Sequence, residues 1–132
     1  TVLYSEKEPS ENARVFIVDT IGILNKIYSY ANVAYVGGGF GKSGIHNILE
    51  PAAFGCPLII GPNYQKFQEA VDLVEIQACQ VIVDQITLKY WLDKLRSDKP
   101  IRMTKGSMAK NYVSENTGAT KIILDYMKYI LK

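Results

Sequence analysis

Apolar and polar positions in this chain follow two periods. Residues 15–19 (VFIVD), 33–37 (VAYVG), 57–61 (PLIIG) and 80–84 (QVIVD) are short apolar runs bounded by glycine, proline or aspartate, which is the pattern of strands. Between the first two, Ile21, Leu24, Ile27, Tyr28 and Ala31 recur at helical spacing, so residues 15–37 read as one βαβ unit. Residues 45–54 predict the next helix, closed by Gly55. Residues 65–78 predict another, with Phe67, Ala70, Val71 and Val74 on its buried side. From Thr87 the period is helical throughout: one helix through Trp91 and Leu95, one over about residues 101–113 and a last over 119–131. Strands alternating with helices predict an α/β fold, a Rossmann-like parallel sheet with flanking helices and a helical C-terminal tail.

Composition changes this picture little. With 132 residues, 48% hydrophobic and 21% charged, the chain has enough apolar sequence for one core, so residues 1–132 read as one domain. A net charge of +2 with both signs interspersed predicts no nucleic-acid surface. No apolar run approaches the roughly 20 residues of a membrane span, and the first residues lack a signal-peptide pattern, so the chain itself is expected to be soluble. Lysines beside aromatics in the last helix read as a solvated face. Cys56 and Cys79 stand in apolar, strand-like contexts and read as buried, reduced thiols of a cytosolic protein. TVLYS at the start is succeeded by a polar linker over residues 6–14, so the sheet begins abruptly and the chain is expected to be half of a larger unit.

Open parallel sheets bind ligands beyond the carboxyl ends of their strands. Two glycine turns, residues 37–44 and 61–63, fall at such ends together with Asp19 and Thr20. Gly37, Gly38 and Gly39 offer backbone without a Cβ, and the next helix offers unpaired N–H groups to an anion. Spacing tests the specific alternatives. Gly39, Gly41 and Gly44 fit G-x-G-x-x-G, yet Pro62, Asn63 and Tyr64 stand where a dinucleotide fold needs a ribose-binding acid. Gly41-Lys42-Ser43 looks like the end of a P-loop, but counting from Gly37 leaves that loop one residue short. His46 and Glu50 could share a metal by spacing, but His46 is the only histidine and no cysteine stands at ligand distance, so no metal is expected. There remain Asn47 and Glu50, three apart on one predicted helix face, with Ile45, Ile48 and Leu49 packing on the sheet. A carboxylate there can accept from both hydroxyls of a ribose while N–H groups near Gly44 and Ile45 take a phosphate, a division that suits a nucleotide-sugar. The plainer alternative makes Glu50 a solvated first-turn acid and Asn47 a capping residue.

DTIGIL (residues 19–24), AYVGGGFGKSGIHNILEPAAFGCPLIIGPNYQKF (34–67) and NTGAT (116–120) together resemble the C-terminal half of bacterial 3-deoxy-D-manno-octulosonic acid (Kdo) transferases, from about Tyr4 to the end. The resemblance implies one half of a two-domain GT-B glycosyltransferase of lipopolysaccharide synthesis. Its C-terminal domain binds most of the donor CMP-Kdo, and its N-terminal domain holds the lipid A precursor. Carried over, it makes Glu50 the ribose-diol ligand, and Asn47 with the backbone near Gly44 and Ile45 the phosphate or sugar contact. Gly38 and Gly39 form the turn beneath them, and Thr20 and Gly22 face the nucleotide from the other side. His46, Asn63 and Lys66, with Tyr64 between the last two, are candidates for the sugar or the interdomain cleft. Their plainer readings are an N-cap for Thr20, packing for Gly22, loop orientation for His46 and an ordinary turn for Asn63.

The implied reaction is inverting transfer of Kdo, which needs a base on the acceptor and positive groups at the departing phosphate. No acid in this chain is singled out as that base, and the resemblance places it in the N-terminal half. The expectation is therefore a chain that binds CMP weakly and transfers nothing, with no cofactor beyond the donor substrate. Membrane association, at the cytoplasmic face of the inner membrane, is expected of the full-length protein only. Two rival readings remain: another GT-B enzyme such as a UDP-sugar transferase or an epimerase, and a non-catalytic nucleotide-binding or interaction module.

Overall fold

The most apolar run, PLIIG, supplies the central strand of the structure. In the computed structural model, which describes residues 1–6 and 12–131, a three-stranded parallel sheet runs β3 (Ala34–Val36), β4 (Leu58–Ile60), β5 (Cys79–Val81). Register pairs Tyr35 with Ile59 and Ile59 with Gln80. Two further strands, β1 (Val2–Leu3) and β2 (Phe16–Ile17), form a separate two-stranded parallel sheet. The helices among the described residues are α1 (Leu24–Tyr28), α2 (Leu49–Ala53), α3 (Gln68–Glu75), α4 (Gln85–Ser97), α5 (Lys99–Glu115) and α6 (Ala119–Ile130), with a 3-10 turn at Tyr4–Glu6. The polar stretch at residues 7–11, part of the expected linker, lies outside the described residues.

Side chains on a strand alternate between faces, and β4 is covered on both. Leu58 and Ile60 join Ala34, Val36, Ile48, Ala52, Ala70, Leu73 and Ala109 in one core, under α2, α3 and α5. Ile59 points the other way into a second core with Ile82 and Leu95, flanked by Val33, Trp91 and Ile101. All three β4 side chains are fully buried, each contributing roughly 2 kcal/mol of transfer free energy. Helix α5 spans both layers, giving Ile101 to the second core and Ala109 to the first. Two strong N-caps fix where the late helices begin. Asp84 and Thr87 exchange hydrogen bonds in a capping box at α4, and the Asp98 carboxylate accepts from Ile101 N–H at 3.0 Å before α5. Between α3 and α5, Tyr112 donates its hydroxyl to Asp72 at 2.7 Å.

Three expectations are corrected. Residues 15–19 do not join the main sheet: only Phe16 and Ile17 are strand, both are exposed, and they pair with β1. The connection from β2 to β3 carries only the five-residue α1, too short to lay an apolar face over a fourth strand. The helix expected over residues 45–54 is confined to Leu49–Ala53, because residues 45–48 are drawn into the turn after β3. Thr20 is not an N-cap: α1 begins after Ile23, which caps with no side chain. Cys56 and Cys79 are indeed buried and unpaired. The Cys56 thiol donates to the carbonyls of Tyr28 and Ala31, tying the end of α1 to the start of β4, and burial pushes the Cys79 thiol up to about 12.

Candidate functional site

The two glycine turns meet at the carboxyl edge of the sheet, and their glycines are used against each other. A Cβ on Gly39 would sit 2.7 Å from the Gly61 nitrogen, and one on Gly61 would sit 2.6 Å from the Gly39 carbonyl carbon. The loop after β3 and the loop after β4 therefore cross backbone to backbone, an approach only glycine permits. Asn63 fastens the crossing, with its N–H donating to Gly39 O at 2.9 Å and its side-chain amide to Gly41 O at 3.1 Å. Within the first loop, Gly41 N–H donates to Gly38 O and His46 N–H to Gly37 O. Gly44, at φ +83°, lies under the Phe67 ring, and a Cβ there would come within 2.4 Å of it. The sequence suggests bare backbone open to a ligand; in the structure these glycines serve the close contact of two loops.

Asn47 and Glu50 do meet, though not through helical spacing. Asn47 stands before α2, where its Oδ1 accepts from Leu49 N–H at 3.0 Å and its Nδ2 donates to Glu50 Oε1 at 3.0 Å. Asn47 thus closes a local turn ahead of the helix, whose N-cap is Ile48 with no side-chain cap, and orients the carboxylate at once. Glu50 is exposed, and its Oε2 has no hydrogen-bond partner among the described residues. Tyr28 lies near enough that its hydroxyl pKa is raised, first by burial and then by the charges of Glu50 and Cys56. Helix α2 has only five residues, so its dipole contributes little to anion binding. A phosphate here must be held by loop groups and side chains.

A pocket of about 300 Å³ opens between the two loops, lined by Gly41, Lys42, Gly44, Asn63, Lys66 and Phe67 together with Gln65. Among the residues expected from sequence, Gly44, Asn63 and Lys66 are brought into it. Ile45 is buried beside the loop, while His46 is exposed, its ring lying against Gly37 and Gly38. Asn47 and Glu50 form a separate polar pair that does not line the pocket. Thr20 and Gly22 lie in an exposed turn before α1, with open space around Gly22, and do not line it either. Asp19 is occupied elsewhere: its carboxylate accepts from the Ser5 hydroxyl and N–H, which holds its pKa below the usual carboxylate range. The lining residues not expected as contacts from the sequence are Gly41, Lys42, Gln65 and Phe67. Lys42 enters that reasoning only through the P-loop comparison and Phe67 only as a helix core position, although a lysine on each glycine turn was a readable signal.

A wider cleft of about 530 Å³, lined by Asn32, Val33, Leu92, Asp93, Arg96 and Arg102 among others, opens at the amino end of β3. It lies away from the glycine turns, and Arg102 is engaged there by the carbonyls of Leu95 and Arg96. Among the described residues no group of three or more His, Cys, Asp or Glu is placed to hold a metal, and no helix is long and apolar enough to cross a membrane.

Comparison with known proteins bears on whose site this is. No protein-family model matches the chain. It is 35% identical over 126 residues to the 3-deoxy-D-manno-octulosonic acid transferase of Haemophilus influenzae, covering 94% of the chain and 30% of that protein. With the transferase of Bordetella pertussis it shares 31% identity over 122 residues, covering 92% of the chain and 28% of that protein. Over most of its length the chain is similar to one part of the 3-deoxy-D-manno-octulosonic acid transferases. It spans less than a third of the length of these curated relatives. The Kdo transferase relationship extends to three dimensions. The C-terminal CMP-Kdo binding domain of WaaA from Acinetobacter baumannii superposes with a TM-score of 0.75 at 27% identity, covering 87% of this chain and 61% of that one.

Proposed function

We propose that this chain is the donor-binding domain of a glycosyltransferase that moves Kdo from CMP-Kdo to a lipid A precursor in lipopolysaccharide biosynthesis. The observation that carries the reading is the fit of most of the chain to a domain that binds CMP-Kdo in Acinetobacter baumannii WaaA. In this reading the chain is the C-terminal half of a two-domain GT-B enzyme. The lipid acceptor and the membrane face at which it lies, the cytoplasmic side of the inner membrane, belong to the remainder of that enzyme.

The local chemistry supports a division of labour. Glu50, held by Asn47 through one oxygen and with the other free of partners among the described residues, accepts from the ribose hydroxyls of the cytidine. The loop at Gly38, Gly39, Gly44 and Ile45 lies under the phosphate, and Thr20 and Gly22 approach the nucleotide only if their exposed turn moves toward it. His46, Asn63 and Lys66 face the sugar and the cleft. In the reaction the acceptor hydroxyl oxygen forms the new bond to the anomeric carbon of Kdo. The bond from that carbon to the CMP phosphate oxygen breaks, and its electron pair leaves with CMP. The acceptor proton passes to a base outside this chain. What this chain contributes is orientation of the donor and stabilisation of the departing phosphate.

The test is titration of the chain with CMP, UMP and AMP by calorimetry, beside Glu50→Ala. Binding that prefers CMP and falls roughly tenfold or more in the variant supports the reading. Preference for UMP moves the assignment to a uridine-nucleotide enzyme. A folded chain that binds none of the three overturns it.

A further inference from the structure

Lys42 and Lys66 come from different loops, one after β3 and one after β4, and both line the pocket between them. The other lining residues are Gly41, Gly44, Asn63, Gln65 and Phe67, so two cations face a pocket without a carboxylate. Neither lysine makes an ion pair among the described residues. At about 300 Å³ the pocket is at the lower limit for small-molecule sites, room for one sugar rather than a whole nucleotide-sugar. Its wall is the Phe67 ring, a surface suited to the apolar face of a pyranose. The N–H groups of Gly41 and Phe67 donate to carbonyls of their own loops and that of Asn63 to Gly39 O across the crossing, so these three N–H groups are not free to form a nest for phosphate. Anion recognition here falls to the lysine side chains.

We infer that the Lys42–Lys66 pocket is the subsite for the sugar half of the donor, and that the two ammonium groups bind its carboxylate. The inference rests on the donor-binding reading and adds to it the residues that read the sugar: the carboxylate of Kdo sets it apart from the neutral sugars of most nucleotide donors, and Lys42 and Lys66 are placed to bind it. The phosphate of the same donor is the other anion that could meet these lysines, and the experiment separates the two.

Freshly prepared CMP-Kdo and CMP are titrated separately into the chain and into the double variant Lys42→Gln/Lys66→Gln. Both lysines are exposed, and neither side chain makes a hydrogen bond or ion pair among the described residues, so the variant is expected to keep its fold, which a matching thermal transition verifies. The expected result is a loss of roughly tenfold or more in CMP-Kdo affinity with less than about a twofold change for CMP. In the parent chain the advantage of CMP-Kdo over CMP shrinks as salt is raised, and in the variant that salt dependence disappears. Equal losses for both ligands assign the lysines to phosphate and overturn the inference, while unchanged binding of both removes the pocket from the donor site. If the parent chain binds neither ligand, the donor-binding reading itself fails and the subsite fails with it; if it binds CMP normally, any failure belongs to the subsite alone.

Discussion

β2 and β4 come from nearly equivalent sequence, VFIVD and PLIIG, yet one is exposed and the other is the centre of the molecule. Phe16 and Ile17 of β2 are 55% and 44% exposed, whereas Leu58, Ile59 and Ile60 of β4 are all at 0%. The difference lies in the helices that come after each strand and in the elements that return to it. After β4 come an eight-residue and a thirteen-residue helix, and α5 folds back over both faces. After β2 comes a five-residue helix, and the partner strand is the two-residue β1. An apolar run thus forms a strand by its own pattern, but burial comes from the elements that cover it. The same contrast recurs at the other end. Helix α6 carries Ile122, Ile123, Leu124, Tyr126 and Met127 on its surface, all about half exposed or more.

The largest test of this comparison is a matched pair of truncations. Leu58→Ala is expected to cost about 3 kcal/mol, within the range for buried leucines, and Ile17→Ala less than about 1 kcal/mol, by urea unfolding. Equal costs would mean that the β1–β2 sheet is as well covered as the core.

A smaller effect sharpens the comparison inside the covered region, at the Tyr112–Asp72 bond between α3 and α5. Burial and the Asp72 carboxylate raise the Tyr112 phenol to about 12, so the folded state keeps a proton that the unfolded chain releases near 10. This contribution is complete below pH 10 and is lost as pH rises toward 12. The Asp72 carboxyl is held below its ordinary value, first by Tyr112 and then by Gln68. That contribution is present above about pH 4 and is lost as pH falls through the folded value. Tyr112→Phe is therefore expected to lower the thermal midpoint most between about pH 5 and 9, with the deficit narrowing at both extremes. A deficit that does not change with pH would show that the hydroxyl matters only for packing.

The smallest expected effect is at the C-terminal end. Removing α6 by ending the chain at Asn116 is expected to leave the thermal midpoint within about 2 °C, because none of its side chains with a described burial is buried. A shift several times larger would show that α6 supports the core despite its exposure.

The legible parts of the site were those written in adjacent residues. Asn47 and Glu50 are close enough in sequence that their pairing survives a change of mechanism, from helix face to a turn ahead of the helix. The helices from Thr87 onward were legible through their apolar spacing, and their caps at Asp84 and Asp98 set starts two residues earlier than that spacing suggests. The length of the helix after the glycine turn was not legible, because His46 N–H is claimed by Gly37 O, nine residues back across a turn. Nor was the role of the glycines, since Gly39 and Gly61 are explained by each other.

By itself, then, the sequence determined the order of strands and helices, the burial of two unpaired cysteines and the resemblance to the Kdo transferases. Each depends on local period, local caps or a contiguous motif. Only the tertiary structure decided that β2 leaves the main sheet, that two glycine turns are pressed together, and that Lys42 and Lys66 share one pocket. Those outcomes depend on packing between segments fourteen or more residues apart, where the covering of one element by another settles what a local pattern leaves open.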